Sequence, residues 1–139
     1  MSGRHRTIVV GLVLLGVLAA VVLFVFAGNA CPVETAQQPC PDAGRNLAIG
    51  VGLAAIAVGL IVTPFAFLAE AMTDRRIVYR GAWSRAARRG VLAGLVVGIL
   101  AGLRLAGVLS VPIAIFVIIL AGAVEWLAAR TDRRVMETT

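Results

Sequence analysis

The chain has 139 residues, 60% of them hydrophobic and 14% charged, with a mean hydropathy of +0.98 and a net charge of +6. An ordinary soluble domain, with about 25% charged residues, is excluded, and the apolar residues fall in long blocks instead of alternating with polar ones. The composition is that of an integral membrane protein, and with no hydrophilic stretch long enough to fold apart, residues 1–139 read as one compact transmembrane domain.

The first six residues are a basic arm carrying Arg4, His5 and Arg6. The first predicted span covers 8–27, about the twenty apolar residues that a crossing requires. Its length exceeds the usual signal-peptide core of about 7–15 residues. Gly28, three residues before Cys31, is smaller than a lipoprotein cleavage site prefers. A retained anchor is therefore expected. The loop that follows holds Cys31-Pro32 and Cys40-Pro41. No histidine accompanies these cysteines, and their spacing is that of neither a zinc nor a redox pair. A structural disulfide between Cys31 and Cys40 is expected in an oxidising space.

The second span is predicted at 47–68, with Pro64 inside it near one end. A proline there removes a backbone hydrogen bond and bends the helix. Thr73-Asp74-Arg75-Arg76 follows, matched after the fourth span by Thr131-Asp132-Arg133-Arg134. The match is compatible with a parallel internal repeat, although any helix leaving a membrane tends to end in a basic run. The connection to the third span, RRIVYRGAWSRAARRG, mixes arginine with Tyr79 and Trp83. Aromatic rings favour the water–lipid boundary and clustered arginine attracts anionic headgroups. Tyr79, Trp83, Arg85, Arg88, Arg89 and the more distant Trp126 are thus read as a lipid-interface belt.

The third span, 90–106, repeats small residues at every fourth position: Gly90, Gly94, Gly98, Gly102 and Ala106. Interior glycine costs a helix in water about 1 kcal/mol relative to alanine, so this spacing has another purpose. Positions four apart form one inclined ridge, and a ridge without side chains lets a second backbone approach closely. In lipid such packing is a main source of helix association. Ala48, Gly52, Ala55 and Gly59 on the second span are candidate counterparts, alongside a second copy or a different membrane protein. After an uncharged turn, the fourth span covers 112–128, with Ser110 placed to cap it and Pro112 in its first turn. The turn is short enough to make the last two spans antiparallel neighbours.

Arginine also sets the orientation. Arg4 and Arg6 precede span one, six arginines lie between spans two and three, and three follow span four. The arginine-rich side of short loops is cytoplasmic. The expected fold is all-α: four transmembrane helices as two antiparallel hairpins, both termini cytoplasmic. The absence of lysine reads as codon bias in a GC-rich genome. The expected location is a bacterial inner membrane, crossed several times. Anionic lipid accounts for the basic excess better than nucleic acid, which is not expected as a partner.

Three ionisable residues fall at membrane depth and form a candidate embedded polar site: Arg104, Glu70 and Glu125. Arg104 lies close to the outer turn, where its side chain can snorkel or reach Asp42 or Glu34. Glu70 and Glu125 lie near the cytoplasmic ends of their spans, with Arg85, Arg88 and Arg89 as candidate partners. The chain carries no catalytic constellation, metal-ligand cluster or phosphate-cradling loop, so neither an enzyme nor a cofactor is expected. Two classes of function remain: a non-enzymatic subunit, scaffold or assembly factor that packs through the glycine-ridged helix, and a small homo-oligomeric transporter or channel.

Overall fold

Each apolar run forms a helix, because backbone N–H and C=O groups in hydrocarbon find partners only within their own helix. A computed structural model of the protein describes residues 3–31, 39–73 and 82–137, the side chains at 73 and 132–137 excepted. These residues form α1 (Gly3–Asn29), α2 (Ala43–Thr73), α3 (Ala82–Leu105) and α4 (Val111–Glu137), with no strand among them. All four helices are long and apolar enough to cross a membrane.

Every helix outruns its apolar block. α4 runs to Glu137, nine residues past its predicted end, and α3 starts at Ala82, eight residues before the predicted span. Trp83, Arg85, Arg88 and Arg89, expected in an interfacial loop, are therefore helical. Hydropathy marks where a helix enters hydrocarbon, whereas good helix formers such as alanine and arginine carry it into the headgroup zone. Arg75, Arg76, Tyr79 and Arg80 lie outside the described residues, as does Glu34.

The helices pack in chain order. Among the described residues, α1 lies against α2, α2 against α3 and α3 against α4, and no other pair of helix backbones comes close. The expected compact bundle is thus a row, with α1 and α4 at its edges. Neighbours run in opposite directions, as their register demonstrates: Phe26 meets Gly50 while Gly16 meets Ile61, and Gly98 meets Val51 while Gly90 meets Thr63. The outside is as apolar as a core, with Leu14, Leu18, Phe24, Phe116 and Ile119 all exposed. In water such a surface would drive aggregation; in a bilayer it faces its solvent.

The α2–α3 contact is the most extensive. The buried residues of α3 are Ala82, Ala86, Gly90, Gly94 and Gly98. The three glycines face Val51, Ala55, Gly59 and Thr63 of α2, which also recur every fourth position, while Ala82 and Ala86 pack with Phe67. Ridges of the same kind interdigitate on both helices. The glycine ridge is therefore used inside the chain, displaced by two steps from its predicted extent. Gly102 has nothing near the place where a side chain would begin, and Ala106 is exposed. Of the four proposed counterparts, Ala55 and Gly59 are in the seam; Ala48 is exposed and Gly52 meets no neighbour.

Pro64 sits within α2 and is fully buried. It has no N–H to offer the Leu60 carbonyl one turn back. In the same turn the Thr63 hydroxyl donates to the Gly59 carbonyl at 2.7 Å. Glycines grip this segment from both sides, Gly16 of α1 against Ile61 and Gly90 of α3 against Thr63.

The α3–α4 turn has a specific cause. Gly107 adopts φ 73°, a left-handed conformation that favours glycine. The Val108 N–H reaches the Leu103 carbonyl and the Gly107 N–H reaches the Arg104 carbonyl, both at 3.1 Å. This is the Schellman arrangement that ends a helix. The Ser110 carbonyl then accepts the Ala114 N–H at 3.0 Å, opening α4.

Candidate functional site

Charge and aromatic side chains gather at the end of the row where α1 begins and α2 ends. On α2, Phe67 and Glu70 lie three residues apart and so share a face. On α3, Trp83, Arg85, Arg88 and Arg89 occupy the first two turns, before the glycine seam starts. On α4, Glu125 lies in a half-buried stripe, Ala114, Val117, Ala121, Glu125 and Ala128, whose spacing is that of one helix face.

These residues form one ion-pair network. Arg85 reaches both oxygens of Glu70 at 3.4 Å. Arg88 lies against Glu125 at 3.3 Å. Arg89 spans the two carboxylates: its Nη1 is 2.9 Å from Glu70 Oε1, and its Nε is 3.0 Å from Glu125 Oε1. A single guanidinium on α3 thereby ties α2 to α4. Its flat array of five N–H donors suits that geometry; a lysine ammonium, a compact point charge, does not span two carboxylates in one plane as well. The carboxylates are the less exposed partners, Glu70 at 19% and Glu125 at 26% against 40% for Arg89.

Beside the network lies an aromatic cluster that joins α1. Phe67, 1% exposed, stacks on Trp83 with ring centroids 4.2 Å apart. The Trp83 indole N–H donates to His5 Nδ1 at 3.1 Å. Ala82 and Ala86 complete the small core here, with Val9 packed against it. His5 and Phe67 were not singled out from the sequence. The signal for His5 was its place on the same seam as Val9, Leu12 and Gly16, at alternating spacings of four and three. That pattern cannot be isolated in a helix that is apolar all round.

The remaining candidate residues are dispersed. Arg104 is exposed, in the last turn of α3 at the opposite end from Glu70 and Glu125, so the three do not form one site. Its suggested partner Asp42 pairs with Arg45 instead, at 3.2 Å. That pairing spans three residues of chain, whereas reaching Arg104 would require a cross-helix contact at a wet surface. Trp126 is exposed, with the Arg130 guanidinium 3.6 Å above its ring. At the far end, Cys31 and Cys40 form a disulfide, their Cα atoms 6.1 Å apart. Asn46 donates to the Cys31 carbonyl at 3.2 Å, pinning the start of α2 to the end of α1. Among the described residues, no cluster of His, Cys, Asp and Glu could hold a metal ion.

Four apolar helices in a row, lipophilic outside and tied by ion pairs at one end, define the class: a multi-pass α-helical membrane protein. No family model matches the chain, and no curated protein or solved structure is similar to it.

Proposed function

We propose that the protein is a non-enzymatic membrane component, a subunit, scaffold or assembly factor of a larger complex, that works by helix packing. In this reading both termini are cytoplasmic, the arginine-rich end lies at the inner face of a bacterial inner membrane, and the disulfide lies outside. The observation that carries the proposal is the row. A row has two edges, and α4 has no buried residue along its described length. Such an edge is completed by lipid or by another membrane protein, and in lipid close packing is what rewards association. Of the partners considered for the glycine ridge, it meets α2 of the same chain, so it builds the α2–α3 centre and leaves α1 and α4 as the edges open to a partner. Exposed Arg4, Arg6 and Arg130 at one end suit anionic headgroups.

A second reading, a small homo-oligomeric transporter or channel, draws on the Glu70–Arg89–Glu125 network, since ionisable groups at membrane depth are candidate pathway residues. One experiment separates the two. The tagged protein is extracted gently, its native mass is measured, and copurifying chains are identified. A stoichiometric second protein supports the subunit reading. A discrete homo-oligomer alone, with solute flux lost in Glu125→Gln and retained assembly, establishes the transporter and overturns it.

A further inference from the structure

Each helix is held by different means. The α2–α3 pair is joined along its length by an interdigitated seam with five buried residues on α3. Gly16 seats α1 against Leu60 and Ile61, and the disulfide, the Asn46 bond and the His5–Trp83 bond fasten its two ends. Among the described residues, nothing comparable holds α4. None of its described residues is buried, and its stripe toward α3 is mostly alanine. At one end it hangs from a glycine turn, with Gly107 at φ 73°. At the other it is fastened through Glu125 to Arg88 and Arg89.

The geometry points to a latch: Arg89, anchored on the α2–α3 pair by Glu70, holds α4 in place through Glu125, and α4 is the movable arm of the protein, swinging about the 107–110 turn. Three features make this arrangement a latch rather than a general brace. First, α4 is a lever. The hinge and the ion pair lie at opposite ends of the apolar stretch, so a small rotation at the turn becomes a large displacement at Glu125. Second, Arg89 keeps a partner when the arm leaves. Its Nη1 remains on Glu70 while its Nε lets go, so opening does not leave the Arg89 guanidinium without a carboxylate at the membrane boundary. Third, opening costs little apolar contact, because lipid tails replace what the alanine stripe loses. An ion pair is also a bond that a competing charge, such as a partner's carboxylate or a headgroup phosphate, can take over. The inference rests on the membrane reading of the chain, and not on which of the two functions above is correct.

The latch is tested by distance measurement between spin labels in the full chain, reconstituted in bilayers with Cys31 and Cys40 left as the disulfide. One pair of labels, at Phe65→Cys and Leu127→Cys, reports α2 to α4 across the latch. A second pair, at Phe65→Cys and Leu95→Cys, reports the α2–α3 pair. All three positions are exposed. Each measurement is repeated with Glu125→Gln, Glu125→Asp and Glu70→Gln. The latch requires that Glu125→Gln at least double the width of the α2–α4 distribution while the α2–α3 distribution is unchanged. Glu125→Asp, which keeps the charge, is expected to fall between Gln and wild type. Glu70→Gln is expected to leave the arm closed, because it removes the anchor's second contact and not the one to α4. An unchanged α2–α4 distribution in Glu125→Gln overturns the proposal. So does broadening of both pairs, which would make Glu125 a brace for the whole assembly. The α2–α3 pair also serves as the folding control, and none of these outcomes depends on whether a partner protein is found.

Discussion

Glycine-to-alanine replacements along α3 probe the α2–α3 seam with the smallest possible change. At Gly94 a new Cβ would lie 2.5 Å from the Ala55 carbonyl oxygen, where ordinary contact begins at 3.4 Å. The obstacle is backbone and cannot rotate away, so the two helices must part by about 0.9 Å at that level. A gap of about 0.5–1 Å forfeits roughly a quarter to a half of each local contact's attraction, and overpacking of this kind costs about 1–3 kcal/mol. Removing a helical glycine returns up to about 1 kcal/mol. Because the obstacle is backbone, the upper part of the overpacking range, about 2–3 kcal/mol, applies, and the expected net loss for Gly94→Ala is about 1–2 kcal/mol. Gly90→Ala should lose at least as much, since its Cβ would meet the Thr63 hydroxyl and lie 2.7 Å from the Gly59 carbonyl oxygen. Gly98→Ala is milder, with its closest neighbour the Ala55 side chain at 3.2 Å. Gly102→Ala meets nothing within 4 Å and should be neutral or stabilising by up to about 1 kcal/mol. The assay is the unfolding free energy of each variant in the same mixed micelles. The order Gly90 and Gly94 worst, then Gly98, then Gly102 tests the register directly. If Gly94→Ala were as stable as wild type, or Gly102→Ala as damaging as Gly94→Ala, the seam described here would be wrong.

Two further perturbations address the ends of the row. His5→Ala removes the acceptor of the Trp83 indole N–H and should cost about 1 kcal/mol; indole emission should change in this variant and in a Trp126→Phe background, whereas the change should vanish in Trp83→Phe. Reducing the Cys31–Cys40 disulfide, whose cysteines are nine positions apart, should lower stability by about 2–3 kcal/mol on the loop-closure argument. A membrane-impermeant reductant added outside sealed, right-side-out vesicles should cleave it, and protection of the bond there would reverse the proposed topology.

Much of this architecture follows from the order of residues alone. Runs of about twenty apolar residues must be helical in lipid, where the backbone has only itself to bond. Gly107 and Ser110 mark the α3–α4 turn because the first tolerates a positive φ and the second suits a helix start. Glycine at every fourth position of α3 announces a close backbone approach, though not which partner makes it. Carboxylates at Glu70 and Glu125 facing a loop of arginines invite pairing, since a charge at a membrane boundary is costly alone.

What the residue order could not settle is which stretch of each surface meets a partner. Successive positions four apart advance by about 40° around a helix, so a ridge running from Ala82 to Ala106 cannot all face one neighbour. The crossing of α2 selects Ala82 to Gly98 and leaves Gly102 and Ala106 outside. On α1 every face is apolar, so periodicity carries no information, and only contact with Leu60 and Ile61 of α2 picks out Gly16. The sharing of Arg89 between two carboxylates likewise depends on three helices ending at one level. Apolar sequence determines that a segment enters the bilayer, because transfer from water depends on composition. Which faces meet there is decided by shape, because in lipid all apolar surfaces are nearly equivalent solvents for one another.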